Sequence, residues 1–134
     1  MRFDTKWRFI AAAIFIFFTI MELGDWLGQT QNYSKLTSAS SSTWLANLIV
    51  IILPSLFALG IALSSAITAY GFLLKRTWVT RSANAASVFF ILYGLNQILS
   101  AVFKYNQIGI LLTGFIFIIL GSICHWLVGK AVFR

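Results

Sequence analysis

The chain has 134 residues, of which 60% are hydrophobic and 10% charged, whereas a soluble domain carries about 25% charged residues. So short a chain cannot hide that much apolar surface from water, which excludes an ordinary soluble domain and makes a bilayer the expected solvent. The net charge of +7 comes from Lys and Arg in short segments between long apolar runs, a pattern of membrane proteins rather than of a nucleic-acid patch.

Four apolar stretches follow in chain order, over 7–27, 44–74, 85–103 and 108–128. Each reaches the roughly 20 residues that a spanning helix needs, and inside lipid only helices pair all their backbone groups locally. The expected fold is therefore an all-α membrane protein, a single domain of four transmembrane helices. The first stretch follows Arg2, Lys6 and Arg8. It is too long for the core of a signal peptide and runs into Glu22-Leu23-Gly24-Asp25-Trp26 instead of a small-residue cleavage site. The second would measure about 45 Å as one helix. It holds the only proline, Pro54, so a kink or an interfacial first turn is expected there. Gln29 to Thr43 is a polar loop, and the connections near 75–84 and 104–107 are short.

Eight of the ten basic residues fall on one side of this arrangement, leaving Lys35 and Lys104 on the other. The positive-inside rule then puts both termini and the middle loop in the cytoplasm of a multi-pass cell-membrane protein. Trp7, Trp44, Trp78 and Trp126 stand near segment ends, as interface anchors do. The endings Phe72-Leu73-Leu74-Lys75-Arg76-Thr77-Trp78-Val79 and Trp126-Leu127-Val128-Gly129-Lys130-Ala131-Val132-Phe133 resemble each other, so the four helices read as two helix-hairpin repeats.

Polar groups inside the membrane are costly, and each has a packing and a functional reading. On the first helix Glu22 lies on the face of Ala11, Phe15 and Phe18, with Asp25 beside it; both acids either reach outer water or make Glu22 a proton or cation site. On the second, Gly60, Ser64, Thr68, Gly71 and Lys75 form a stripe suited to close helix packing, and Lys75 either snorkels or holds a phosphate. The strongest stripe is on the third: Tyr93, Asn96, Gln97, Ser100 and Lys104. These groups either bond between helices or line a polar cavity. On the fourth, His125 shares a face with Gly114 and Gly121, and either packs or meets an anionic headgroup.

A lone cysteine, Cys124, and a lone histidine, His125, supply neither a disulfide nor a metal-ligand set. With Asp4, Glu22 and Asp25 as the only acids, no catalytic constellation is apparent. No enzyme activity, cofactor, metal or nucleic-acid partner is expected.

Lys6-Trp7-Arg8-Phe9, Leu45-Ala46-Asn47, the ending at 72–79, Asn96 and the terminal Lys130-Ala131-Val132-Phe133-Arg134 together resemble the GtrA-like family of small four-helix membrane proteins, over nearly the whole chain. The departures are Lys75 and His125, where asparagine is usual, Thr80 for phenylalanine and Ala131 for tryptophan. The resemblance implies translocation of a polyprenyl-phosphate-linked sugar across the membrane, for glycosylation of a cell-surface polymer such as teichoic acid or polysaccharide. It also implies a membrane glycosyltransferase as partner. On that reading Asn47, Tyr93, Asn96, Gln97 and Ser100 line the headgroup cavity, and Lys75, Arg76, His125 and Lys130 attract the phosphate. The prenyl chain stays among membrane lipids. A homodimer would enlarge the small volume that four helices enclose. The alternatives are a small multidrug-type, proton-coupled exporter using Glu22 and a non-transporting partner of the transferase.

Overall fold

The computed structural model describes residues 2–31, 48–101 and 108–133. Strand β1 (Arg2–Phe3) leads into α1 (Thr5–Thr30). A π-helical turn (Leu48–Ile52) leads into α2 (Leu53–Leu73), then come α3 (Val79–Ser100), α4 (Ile108–Ala131) and β2 (Val132–Phe133). All four α-helices are long and apolar enough to cross a membrane, and the chain is a multi-pass membrane protein by that measure. Asn47, Trp44, Lys35, Lys104 and Arg134 fall outside the described residues.

Two helix starts differ by more than three residues from those read off hydropathy. The third helix starts at Val79, not at Ala85, because a tight turn suffices to join it to α2. Lys75, with φ of 53°, supplies the left-handed residue of that turn. The Arg76 N–H donates to the Gly71 carbonyl at 2.9 Å and the Lys75 N–H to the Phe72 carbonyl at 3.4 Å, the paired bonds that close a helix C-terminus. The second helix departs from one continuous rod at the π-helical turn rather than at Pro54 itself. Pro54 sits in the first turn of α2, where its missing N–H has no helical role. Continuing the π pattern would need an N–H at 54 to reach Ile49, so the pattern ends and the Ile49 carbonyl is left over.

The helices pack in sequence order, α1 on α2, α2 on α3 and α3 on α4. The small clasp in which β1 pairs antiparallel with β2, Arg2 opposite Phe133 and Phe3 opposite Val132, was not foreseen. It brings the two ends of the described chain together. The Asp4 N–H extends the clasp by donating to the Ala131 carbonyl at 3.0 Å, while its carboxylate caps α1 through the Trp7 N–H at 2.9 Å. Arg8 is buried and donates to the Phe72 and Leu73 carbonyls at 3.1 and 2.8 Å. The chain ends and the α2–α3 turn therefore share one end of the bundle, which collects Arg2, Lys6, Arg8, Lys75, Arg76, Arg81 and Lys130.

An aromatic chain runs through the core. Phe72 stacks on Phe15 at 6.0 Å, Phe15 meets Phe18 edge-on, and Phe18 meets Phe90 at 5.0 Å. Phe90 stacks on Phe117, which lies 4.4 Å from Tyr93. Each such pair adds about 0.5–1.5 kcal/mol beyond area burial. The outer faces carry exposed Phe17, Ile20, Leu63, Ile67, Phe115, Ile116 and Ile119, an apolar surface far larger than water tolerates.

Candidate functional site

Among the described residues, two polar regions lie inside or against this bundle, at different depths. The deeper one starts on α1, where the helical repeat turns Ala11, Phe15, Phe18 and Glu22 inward, all buried. Glu22 is only 1% exposed, and neither carboxylate oxygen has a hydrogen-bond partner among the described residues. Asp25, three residues on and so on the same side of the helix, is the charged group acting on it. Across the bundle the Tyr93 hydroxyl donates to Asp25 Oδ2 at 2.7 Å. Glu22 acts on the same hydroxyl, and Gln97, one turn further along α3, lies beside it.

The polar stripe of α3 thus divides between two partners. Tyr93 and Gln97 belong with the acids. Asn96, 4% exposed, donates through Nδ2 to the Ile49 carbonyl at 3.0 Å, and Ser100 adds a longer bond of 3.4 Å to the same oxygen. These two side chains replace the donor that Pro54 lacks, as neighbouring helices do for broken backbone in membranes. Asn47, expected beside them, lies outside the described residues.

The second region is a half-open cavity of about 500 Å³ at the basic end. Thr80 and Asn84 line it from α3, His125, Val128 and Gly129 from α4, and Val132 and Phe133 from β2. Thr80 and Asn84 share a face because they are four residues apart. A turn deeper, the buried Ser87 hydroxyl donates to the Gly121 carbonyl at 2.7 Å and seals the two helices together. Gly94 and Gly114 continue the seam: a Cβ on either would lie 2.5 and 2.7 Å from the other's carbonyl oxygen. Lys130 is exposed beside the cavity, its ammonium 5.9 Å from the centre of the Trp126 ring. Trp126 in turn meets Trp7 edge-on at 5.5 Å. Lys75 and Arg76 are exposed in the α2–α3 turn.

Of the residues singled out from sequence, His125 alone lines this cavity, with Lys130 at its margin. Thr80, noted only as a departure from the family pattern, and Asn84 were not read as site residues because that stretch reads as a loop when helix three is started at Ala85; their i, i+4 relation exists only once the helix begins at Val79. Among the described residues no group of three or more His, Cys, Asp or Glu could hold a metal ion.

Comparison with known proteins adds no relative. No family model, curated protein or solved structure matches the chain.

Proposed function

We propose that this protein translocates a polyprenyl-phosphate-linked monosaccharide across the cytoplasmic membrane, for glycosylation of a polymer on the cell surface. It rests on the cavity at the basic end. Hydroxyl, amide and imidazole groups from Thr80, Asn84 and His125 meet there, at the bundle end that gathers the basic side chains. An anionic, sugar-bearing headgroup needs both features: a positive surface to draw in the phosphate and hydrogen-bonding groups to replace water around the sugar. The apolar outer helix faces suit a prenyl chain left in lipid. The resemblance to GtrA-like proteins favours the same substrate class.

In this reading the basic end faces the cytoplasm, following the positive-inside rule, and the bundle is two hairpins of like orientation. The headgroup enters between Asn84 and His125. To go further it must part α3 from α4 at the Ser87–Gly121 contact, which acts as the inner gate. The protein makes no covalent change to its cargo. A membrane glycosyltransferase that loads the lipid is the natural partner.

The test is headgroup translocation in proteoliposomes carrying a short-chain polyprenyl-phosphate sugar. Joint replacement Thr80→Val, Asn84→Leu and His125→Leu is expected to reduce the rate at least tenfold while the bundle stays folded. An unchanged rate would sink the cavity as the entry site. The second reading, a proton-coupled exporter, draws on one observation, the buried and unpartnered Glu22; drug resistance conferred by the wild type and lost on Glu22→Gln would favour it.

A further inference from the structure

We propose that Glu22, Asp25, Tyr93 and Gln97 form a binding site for a monovalent cation, either a proton or a sodium ion, inside the bundle. Glu22 is fully enclosed, and neither of its oxygens has a hydrogen-bond partner among the described residues. An ionised carboxylate in that position is among the most unfavourable arrangements a protein can hold, and Asp25 beside it adds a second negative group that can pair with Glu22 only once a proton or another cation is held between them.

The chain offers no fixed positive charge to answer them among the described residues. Arg8, on the same helix, stands about 21 Å away along the axis, and its guanidinium is engaged by the Phe72 and Leu73 carbonyls. The ionisable side chains of the described helix α2 and of α4 are Tyr70, Cys124, His125 and Lys130, all toward the basic end. From α3 the facing groups are Tyr93 and the neutral Gln97. With no fixed positive charge facing the pair among the described residues, a mobile cation is the neutralising group this site is built to take.

The donors set its class. Two carboxylates and a phenol, with the Gln97 amide beside them, are hard oxygen ligands, suited to a proton or an alkali ion rather than to a transition metal. Tyr93 already donates to Asp25, which orients that carboxylate and partly offsets its charge. Glu22 is therefore the group that takes up and releases the cation. Resting on the translocation reading above, exchange at this site would let a cation gradient drive headgroup movement.

The experiment treats the full-length protein in detergent with N,N′-dicyclohexylcarbodiimide, which modifies protonated carboxyl groups in apolar surroundings, and maps the modified residue by mass spectrometry. The expected result is modification of Glu22 and its loss in Glu22→Gln. Sodium chloride slowing it several-fold relative to choline chloride identifies sodium. Slowing by rising pH alone, equal in both salts, identifies the proton. Tyr93→Phe keeps the ring against Phe117 and is expected to shift the sodium concentration or pH of half-protection. No modification of Glu22, or modification indifferent to both salt and pH, overturns the site. In proteoliposomes, protection without headgroup translocation would overturn the carrier reading and leave the cation site standing. Translocation indifferent to an imposed sodium or pH gradient would overturn the coupling.

Discussion

Arg8 reads in the sequence as one more basic residue ahead of an apolar run, yet its guanidinium is buried against the last carbonyls of α2. A cation there answers both the unpaired carbonyls and the negative end of the helix dipole. Lys75 is a lysine in a left-handed conformation, which costs a residue with a Cβ about 1–2 kcal/mol. Lys75→Gly is therefore expected to stabilise the protein by about 1 kcal/mol, seen as a higher midpoint in thermal unfolding in detergent. Asn96 carries the opposite expectation. Asn96→Ala leaves the Ile49 carbonyl with the longer Ser100 bond alone and should cost about 1 kcal/mol. In a Pro54→Ala background, which returns the missing N–H, the same replacement should cost measurably less. Equal costs in both backgrounds would mean that Asn96 does not stand in for the proline.

Among the elements, the α3–α4 seam is the tightest, since Gly94 and Gly114 bring carbonyl against backbone. Gly94→Val has no room and should cost about 1–3 kcal/mol or more by overpacking. Gly28→Ala, with nothing within 4 Å of the added Cβ, should leave the unfolding midpoint nearly unchanged and serves as its control. The four elements themselves were legible from apolar run length, because a bilayer demands a continuous stretch and tolerates no unpaired backbone within it. The inward face of α1 was legible too, since a period of 3.6 places Ala11, Phe15, Phe18 and Glu22 together. The start of α3 was not. Thr80 to Asn84 is polar enough to pass for a loop, and only the turn closed by Lys75 and Arg76 shows that the helix has already begun.

At the level of the whole molecule, the β1–β2 clasp and the Arg8 bonds gather the basic residues at one end. If that end is cytoplasmic, a C-terminal green fluorescent protein fusion should be fluorescent and a C-terminal alkaline phosphatase fusion inactive; the reverse pair of results would invert the topology. The same geometry separates the two polar regions, with the cavity of Thr80, Asn84 and His125 at the basic end and the carboxylates of Glu22 and Asp25 deeper in the bundle. The proposed carrier, with a headgroup pocket and a separate cation site, draws on that separation.

The amino-acid sequence by itself determined the solvent, the number of spans and the inward faces of α1 and α3, because these depend on local composition and on the helical repeat; on α4 it grouped the exposed His125 with the buried Gly114 and Gly121. Which polar groups meet was decided only in the tertiary structure. Tyr93 and Asn96 are three residues apart on one stripe, yet one answers a carboxylate on α1 and the other a carbonyl left over before Pro54. Partner choice depends on how the helices are rotated and set against one another, and that is fixed by long-range contacts such as Phe18 on Phe90 and Gly94 on Gly114, which no local pattern encodes.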